Sequence, residues 1–266
     1  NQSLRRIMAG DLSERISDHD TNGDYRRLTE NINKMLDTIE DLMVGVRRVS
    51  DNIAHDLRTP LTRIRNQLAM LESNCKEENR EQLEQLILEA DHLLATFSAL
   101  LRISQVESGN KREGFTEVEL GQILSDVAEM YEPLAYDKQQ SFEMKLDNVP
   151  AVLGDRNLLF QVLANLVDNA IKYTPVEGHI AVAAEIEGGE LIITVADSGM
   201  GIPEEDREKV FQRFYRIEES RGLPGNGLGL SLVRAVVRLH LGKIELQDNQ
   251  PGLRVLLRFP IGKNTK

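Results

Sequence analysis

Apolar residues recur from Leu28 through Ile32, Met35, Ile39, Leu42, Val46, Val49 and Ile53 in alternating steps of four and three. That spacing holds one stripe of a helix against a partner, the seam of a coiled coil. The stripe resumes at Leu61, Ile64, Leu68 and Leu71, so the pattern predicts one helix from about Tyr25 to Ser73. After a polar break at Asn74 to Asn79, Leu83, Ile87, Ala90, Leu94, Phe97 and Leu101 predict a second helix, its stripe widened by Leu86, Leu93 and Leu100. Such a hairpin leaves apolar surface uncovered. Pairing two hairpins in a four-helix bundle covers it, so a homodimer is expected.

Glu107 to Gly114, charged and glycine-bearing, reads as a linker. Beyond it the period changes. Strand-like runs (Phe115 to Val118, Ser141 to Leu146, His179 to Glu185, Leu191 to Ala196, Gly252 to Phe259) alternate with helical stretches (Leu120 to Tyr136, Asn157 to Tyr173, Leu228 to Leu241). The alternation predicts an α/β sandwich.

Composition narrows the function classes. The 266 residues carry a formal charge of −11, spread along the chain with no basic half or patch, so nucleic acid is not an expected partner. No apolar run approaches the roughly 18 residues that span a bilayer, and Asn1 starts neither a signal nor a transit peptide, so this stretch is read as soluble. Cys75 is the single cysteine and can form no intrachain disulfide.

Three motifs in the second half carry candidate chemistry. In NLVDNAIKYTP, Asn165 and Asn169 are four apart and share a helix face, where amide oxygens can help ligate a hard cation such as Mg²⁺, with Lys172 and Tyr173 one turn on. An ordinary amphipathic helix would fit that motif equally well. In VADSGMGIP a strand-like run ends at Asp197, an acceptor for an exocyclic amine, before Gly199 and Gly201. In GNGLGL, Gly225, Gly227 and Gly229 open the last predicted helix, whose N–H groups and dipole suit phosphate. Phe211 to Pro224 lies between the last two motifs and reads as a mobile lid with Phe211 and Phe214 as apolar anchors.

Together, in this order, the motifs closely resemble the ATP-binding boxes of the GHKL superfamily, which includes histidine kinases, DNA gyrase, mismatch-repair ATPases and heat-shock chaperone ATPases. The resemblance covers about residues 110–262. It implies Asn169 on Mg²⁺ with Asn165 in support, Lys172 and Tyr173 near phosphate or ribose, and Asp197 on adenine. Gly199, Gly201, Gly225, Gly227, Leu228 and Gly229 would shape the pocket.

Upstream, SDNIAHDLRTPLTRIR (Ser50 to Arg65) resembles the phosphoacceptor motif of the main histidine kinase family. At about 100° per residue His55 lies roughly 200° from Ile53 and points away from the seam, with Thr59 on its own face. A neutral imidazole offers one nitrogen lone pair to phosphorus, and Asp56 can take or orient the proton of the other nitrogen. His19, His92, His179 and His240 lack this setting and are assigned structural or solvated roles. Beside His55, Val49, Ile53, Leu57 and Leu61 step by four three times, a stutter that unwinds a coiled coil, and Pro60 predicts a kink. The short N-terminal piece, with Gly10-Asp11-Leu12 and Gly23-Asp24, resembles the latter part of a HAMP domain.

The expected protein is therefore an all-α dimeric helical hairpin, preceded by coiled coil, joined to a GHKL-type α/β sandwich. Expected boundaries are 1–48 for the partial HAMP and coiled-coil segment, 49–108 for the dimerisation and phosphotransfer hairpin, 109–114 for the linker and 115–266 for the ATP-binding domain. The resemblance implies a sensor histidine kinase that uses ATP and Mg²⁺, phosphorylates itself on His55, and passes the phosphoryl group to an aspartate of a response regulator. Thr59 stands where such kinases position water to dephosphorylate the regulator. The chain would be the cytoplasmic portion of a bacterial inner-membrane protein, touching membrane only through a segment upstream. The alternatives are a GHKL-type ATP-gated conformational ATPase without autophosphorylation, which His55 in its helix disfavours, and a non-enzymatic scaffold, although no expected polar residue or glycine of the site is missing.

Overall fold

A computed structural model describes residues 15–16, 26–27, 29–39, 60–71, 77–107, 114–147, 149–218 and 225–261, and the chain divides into two units, Asn1–Gly109 and Asn110–Lys266.

In the first unit the apolar stripes fold as helices: α1 (26–27 and 29–39), α2 (60–71) and α3 (Glu77–Glu107). The expected break to Asn79 is shorter than predicted, because Glu77 is already helical. An Arg65–Asp91 ion pair at 3.2 Å links α2 to α3. Along α3, Ala90 is buried while Leu86 and Leu93 of the widening row stay exposed, and on α2 Ile64, Met70 and Leu71 are exposed as well. Asn33 of α1 holds the Ile16 backbone from both sides, accepting its N–H (3.0 Å) and donating to its carbonyl (3.1 Å), while Arg15 reaches Asp37 at 2.6 Å. Val49, Ile53 and Leu57 of the stutter and the glycine pairs of the HAMP-like piece lie outside the described residues, as does the residue before Pro60, so the kink does too. Among the described residues no helix is long and apolar enough to cross a membrane.

The second unit runs β1 (Thr116–Glu119), α4 (Leu120–Asp137), β2 (Ser141–Leu146), β3 (Ala151–Gly154), α5 (Arg156–Tyr173), β4 (His179–Glu187), β5 (Glu190–Asp197), α6 (Gly229–Leu239), β6 (Lys243–Asp248) and β7 (Leu253–Pro260). Strands β1 and β3 pair on their own, and the other five form a sheet in the order β2-β4-β5-β7-β6, in which only β2 and β4 are parallel. This is the α/β sandwich expected. Two strands, β3 and β6, were not predicted, and α6 stops at Leu239 instead of Leu241. Its end has a physical cause: Leu241 takes a left-handed φ of 61° and Gly242 N–H turns back to the Val237 carbonyl at 2.9 Å.

Sheet alternation decides where the chemistry sits. In β5, Leu191, Ile193, Val195 and Asp197 share one face, since successive side chains alternate. Leu191 and Ile193 are fully buried, and register sets them against Phe259 and Leu257 of β7. Asp197 is the last member of this row, which leaves a carboxylate 7% exposed at the rim of the core.

Helix α5 starts where Asp155 accepts the N–H groups of Asn157 (2.9 Å) and Leu158 (3.1 Å), a side-chain cap. Its apolar face, including Leu159, Val162, Leu163 and Leu166, is buried, which turns Asn165, Asn169 and Lys172 along one partly exposed edge. His240, at the end of α6, fastens this helix start. Its Nε2 accepts the Asp155 backbone N–H at 3.0 Å and its Nδ1 lies 2.8 Å from the Val236 carbonyl. A carbonyl only accepts, so Nδ1 carries the proton and the ring is neutral. The ring also stacks on Phe115 at 4.6 Å. The structural role expected of His240 is thereby specified, while His179 lies exposed beside Ser141 and Glu143.

Candidate functional site

The polar edge of α5 meets both glycine segments. A Cβ at Gly229, the first residue of α6, would stand 3.5 Å from Asn165 Oδ1 and 3.7 Å from Asn169 Nδ2 and would fill the space between helix terminus and amides. One built on Gly225 would lie 2.6 Å from Lys172 Nζ, and one on Gly199 would lie 2.5 Å from the Tyr173 carbonyl oxygen. Asn165 spends its Nδ2 on the Gln161 carbonyl (2.9 Å), which leaves Oδ1 on the Gly229 side. Lys172 Nζ sits 3.0 Å from the Tyr173 hydroxyl and over that ring. The three motifs, separated along the chain, are therefore one site.

Leu228 precedes α6 and is buried. Its carbonyl accepts from Leu232 N–H (3.0 Å) and Ser231 Oγ (2.8 Å), yet no side chain caps the helix. The first N–H groups of α6 consequently lack a side-chain cap beside the amides of Asn165 and Asn169, an arrangement suited to anionic oxygen. Gly227 adopts φ +66°, and a Cβ there would run into the backbone of Phe214 and Tyr215, so glycine is required.

Asp197 closes the opposite end. Its Oδ1 accepts from Gly199 N–H (2.8 Å) and Leu253 N–H (3.2 Å), and no hydrogen bond to Oδ2 forms among the described residues. Burial pushes its pKa above the ordinary value and the two N–H groups pull against that. Since the folded pKa is raised, the ionised carboxylate reduces stability as pH rises through that window and toward neutrality. Asp197→Asn should therefore raise the melting temperature at pH 7, and the gain should shrink as pH falls into the acid range and the carboxyl takes up its proton. Thermal unfolding of both proteins across pH checks this.

Of the two apolar anchors expected in the lid, one is buried. Phe211 is buried and lies under Arg234, 4.7 Å from its ring centroid. Phe214 is not an anchor: it is 56% exposed with φ 64°. Here the backbone is what is fastened, with Phe214 N–H donating to the Gly227 carbonyl at 3.0 Å, so the chain reverses and the ring projects outward. Arg216 donates to the Gly225 carbonyl (2.9 Å), so both lid ends meet at the glycine segment. Sequence reasoning missed Asp206, which accepts from Tyr215 Oη (2.7 Å) and Lys209 Nζ (2.9 Å); the Tyr215 bond, then the Lys209 bond, holds its pKa below the ordinary value. Residues 219–224 of the lid, and His55, Asp56 and Thr59, lie outside the described residues, as does the side chain of His92.

Two family models match the chain: the His Kinase A (phospho-acceptor) domain over residues 46–109, and the histidine kinase-, DNA gyrase B- and HSP90-like ATPase over residues 154–263. The adaptive-response sensory kinase SasA of Crocosphaera subtropica is 30% identical over 263 residues, covering 94% of this chain and 69% of SasA. The chain belongs to the sensor histidine kinases. The two matched regions are a phospho-acceptor domain and a histidine kinase-type ATPase domain. Sensor protein IrlS of Burkholderia pseudomallei is 28% identical to this kinase over 97% of the chain, and sensor histidine kinase CpxA of Escherichia coli K12 is 31% identical over 88%. The kinase chain spans 58% of IrlS and 51% of CpxA. Among solved structures, full-length ShkA in complex with AMPPNP superposes over 82% of this chain and 47% of its own, with TM-score 0.70 and 26% identity. The catalytic domain of histidine kinase ThkA covers 55% of the kinase chain and 97% of its own, with TM-score 0.50 and 33% identity.

Proposed function

We propose that this kinase binds Mg·ATP between α5, Asp197 and the N-terminus of α6, transfers the γ-phosphoryl group to His55, and passes it on to an aspartate of a response regulator. The reading rests on one observation above others: Asn165 and Asn169 lie against the uncapped start of α6, with Lys172 on the same helix edge against Gly225. Asp197 would accept from the adenine amine through Oδ2, with Gly199 and Gly201 leaving room for the ring. Lys172 and Tyr173 would meet phosphate or ribose, and Gly225, Gly227, Leu228 and Gly229 would present backbone N–H groups. The amides fit a hard cation, with Asn169 as ligand and Asn165 in support. Mg²⁺, when bound, would neutralise charge on the phosphate oxygens.

In the transfer, the unprotonated ring nitrogen of His55 attacks phosphorus, the bond from the γ-phosphorus to the bridging oxygen breaks, and ADP leaves. Asp56 accepts the proton from the other nitrogen. The phospho-acceptor domain match over residues 46–109 supports transfer to an imidazole over the alternative of direct ATP hydrolysis. Incubation with γ-labelled ATP followed by mapping of the label tests the assignment.

Thr59 is assigned to positioning water for regulator dephosphorylation. Thr59→Ala should lose that phosphatase activity by about 10²-fold while autophosphorylation persists; equal loss of both, measured in paired assays, would refute the role. The exposed rows on α2 and α3 suit a second copy of the hairpin, hence a homodimer. Residues 1–48 would form a partial HAMP and coiled-coil segment, 49–108 the phosphotransfer hairpin, 109–114 the linker and 115–266 the catalytic domain. This would be the cytoplasmic portion of an inner-membrane sensor.

A further inference from the structure

Asp197 is held from two directions. Gly199 N–H is local, but Leu253 N–H arrives from the turn between β6 and β7, far along the chain. In that turn Asn249 donates through Nδ2 to the Asp197 carbonyl oxygen at 2.8 Å, and its own N–H reaches the Gly252 carbonyl at 3.1 Å. Arg254 donates to Asn249 Oδ1 at 3.2 Å, which fixes the end of the amide that faces Asp197. Gly252 sits at φ +111°, and a Cβ there would overlap the Asp197 carbonyl oxygen. A Cβ on Gly201 would in turn lie 3.0 Å from the Gly252 carbonyl oxygen. At Gly252 and Gly201 the turn and the Asp197–Gly201 loop interlock backbone to backbone.

We infer that Asn249, Gly252 and Leu253 are positioning residues for base selectivity, holding Asp197 so that Oδ1 is consumed by backbone N–H groups and Oδ2 alone meets the base. This rests on the reading that Asp197 meets the adenine amine. An ionised carboxylate presents only acceptors, so a purine with an exocyclic amine is bound and one with a carbonyl at that position is repelled. Desolvation favours protonation of Asp197 and the Leu253 N–H opposes it. When the turn loosens, the carboxyl is freer to rotate and to take a proton, and a protonated carboxyl can donate to a carbonyl-bearing base. Selectivity, more than affinity alone, is therefore the property the turn controls.

The test is calorimetric titration of the full chain with ADP and with GDP, for wild type, Asn249→Ala, Gly252→Ala and Asp197→Asn. Asn249→Ala should weaken ADP by about fivefold, the scale of one lost hydrogen bond, and leave GDP unchanged or tighter, so that the ADP/GDP ratio narrows. Gly252→Ala should narrow it further; if that protein does not fold, Asn249→Ala carries the test alone. Equal weakening of both nucleotides by Asn249→Ala, or no change in either, while Asp197→Asn collapses the ratio, overturns the inference. A wild-type ratio in Asp197→Asn overturns the reading of Asp197 itself.

Discussion

His55→Ala protein, incubated with γ-labelled ATP and Mg²⁺, incorporates no label above background, a loss of about 10⁴-fold or more, the scale on which removal of a nucleophile acts. In the proposed transfer the imidazole forms the new bond, and neither alanine nor the neighbouring Asp56 offers a neutral nitrogen in its place. Nucleotide affinity should be unchanged, because Asn169, Lys172 and Asp197 belong to the other unit of the chain. Binding measured alongside labelling thus separates a missing acceptor from a damaged site. Label that persists on another residue would remove His55 from its role. Steady release of inorganic phosphate by His55→Ala at the wild-type rate would instead favour the ATP-gated conformational machine.

Asn169→Ala is expected to lower autophosphorylation by about 10³-fold, since charge neutralisation on the transferring phosphoryl group is worth several kcal/mol. The side chain lies on the partly exposed edge of α5, next to the uncapped end of α6, and is not among the buried residues of that helix. The fold should therefore survive, with a melting temperature close to that of wild type. The sharper readout is metal dependence. Wild type should bind ATP more tightly with Mg²⁺ than with EDTA, whereas in Asn169→Ala the two affinities should converge. An undiminished Mg²⁺ effect would assign the cation to other residues.

Much of this site could be read from residue order because two local periods carry it. Asn165, Asn169 and Lys172 fall on one helix edge by the 3.6-residue turn, and Asp197 falls on the inward row of its strand by the two-residue pleat. Local period also explains what escaped. Strand β3 has four residues, too few to show alternation, and β6 offers only Ile244 and Leu246 as its apolar pair, hard to tell from a frayed helix end. The grip of Asn249 and Leu253 on Asp197 joins segments more than fifty residues apart, and no spacing rule in either segment announces it. Phe214 misled for a related reason. An aromatic residue in a polar run suggests an anchor, but tertiary hydrogen bonding fixed its backbone and sent the ring outward.

The bare start of α6 has a consequence for folding as well as for chemistry. A helix beginning at Leu228-Gly229 lacks the serine, threonine or aspartate that ordinarily satisfies its first N–H groups, and such a substitute is worth about 1 kcal/mol. If phosphate oxygens take those N–H groups, the nucleotide acts as a capping residue that the gene does not encode. The domain would then complete its own secondary structure only when charged with fuel, and depletion of ATP would register as a loosening at the joint where the lid returns to the helix.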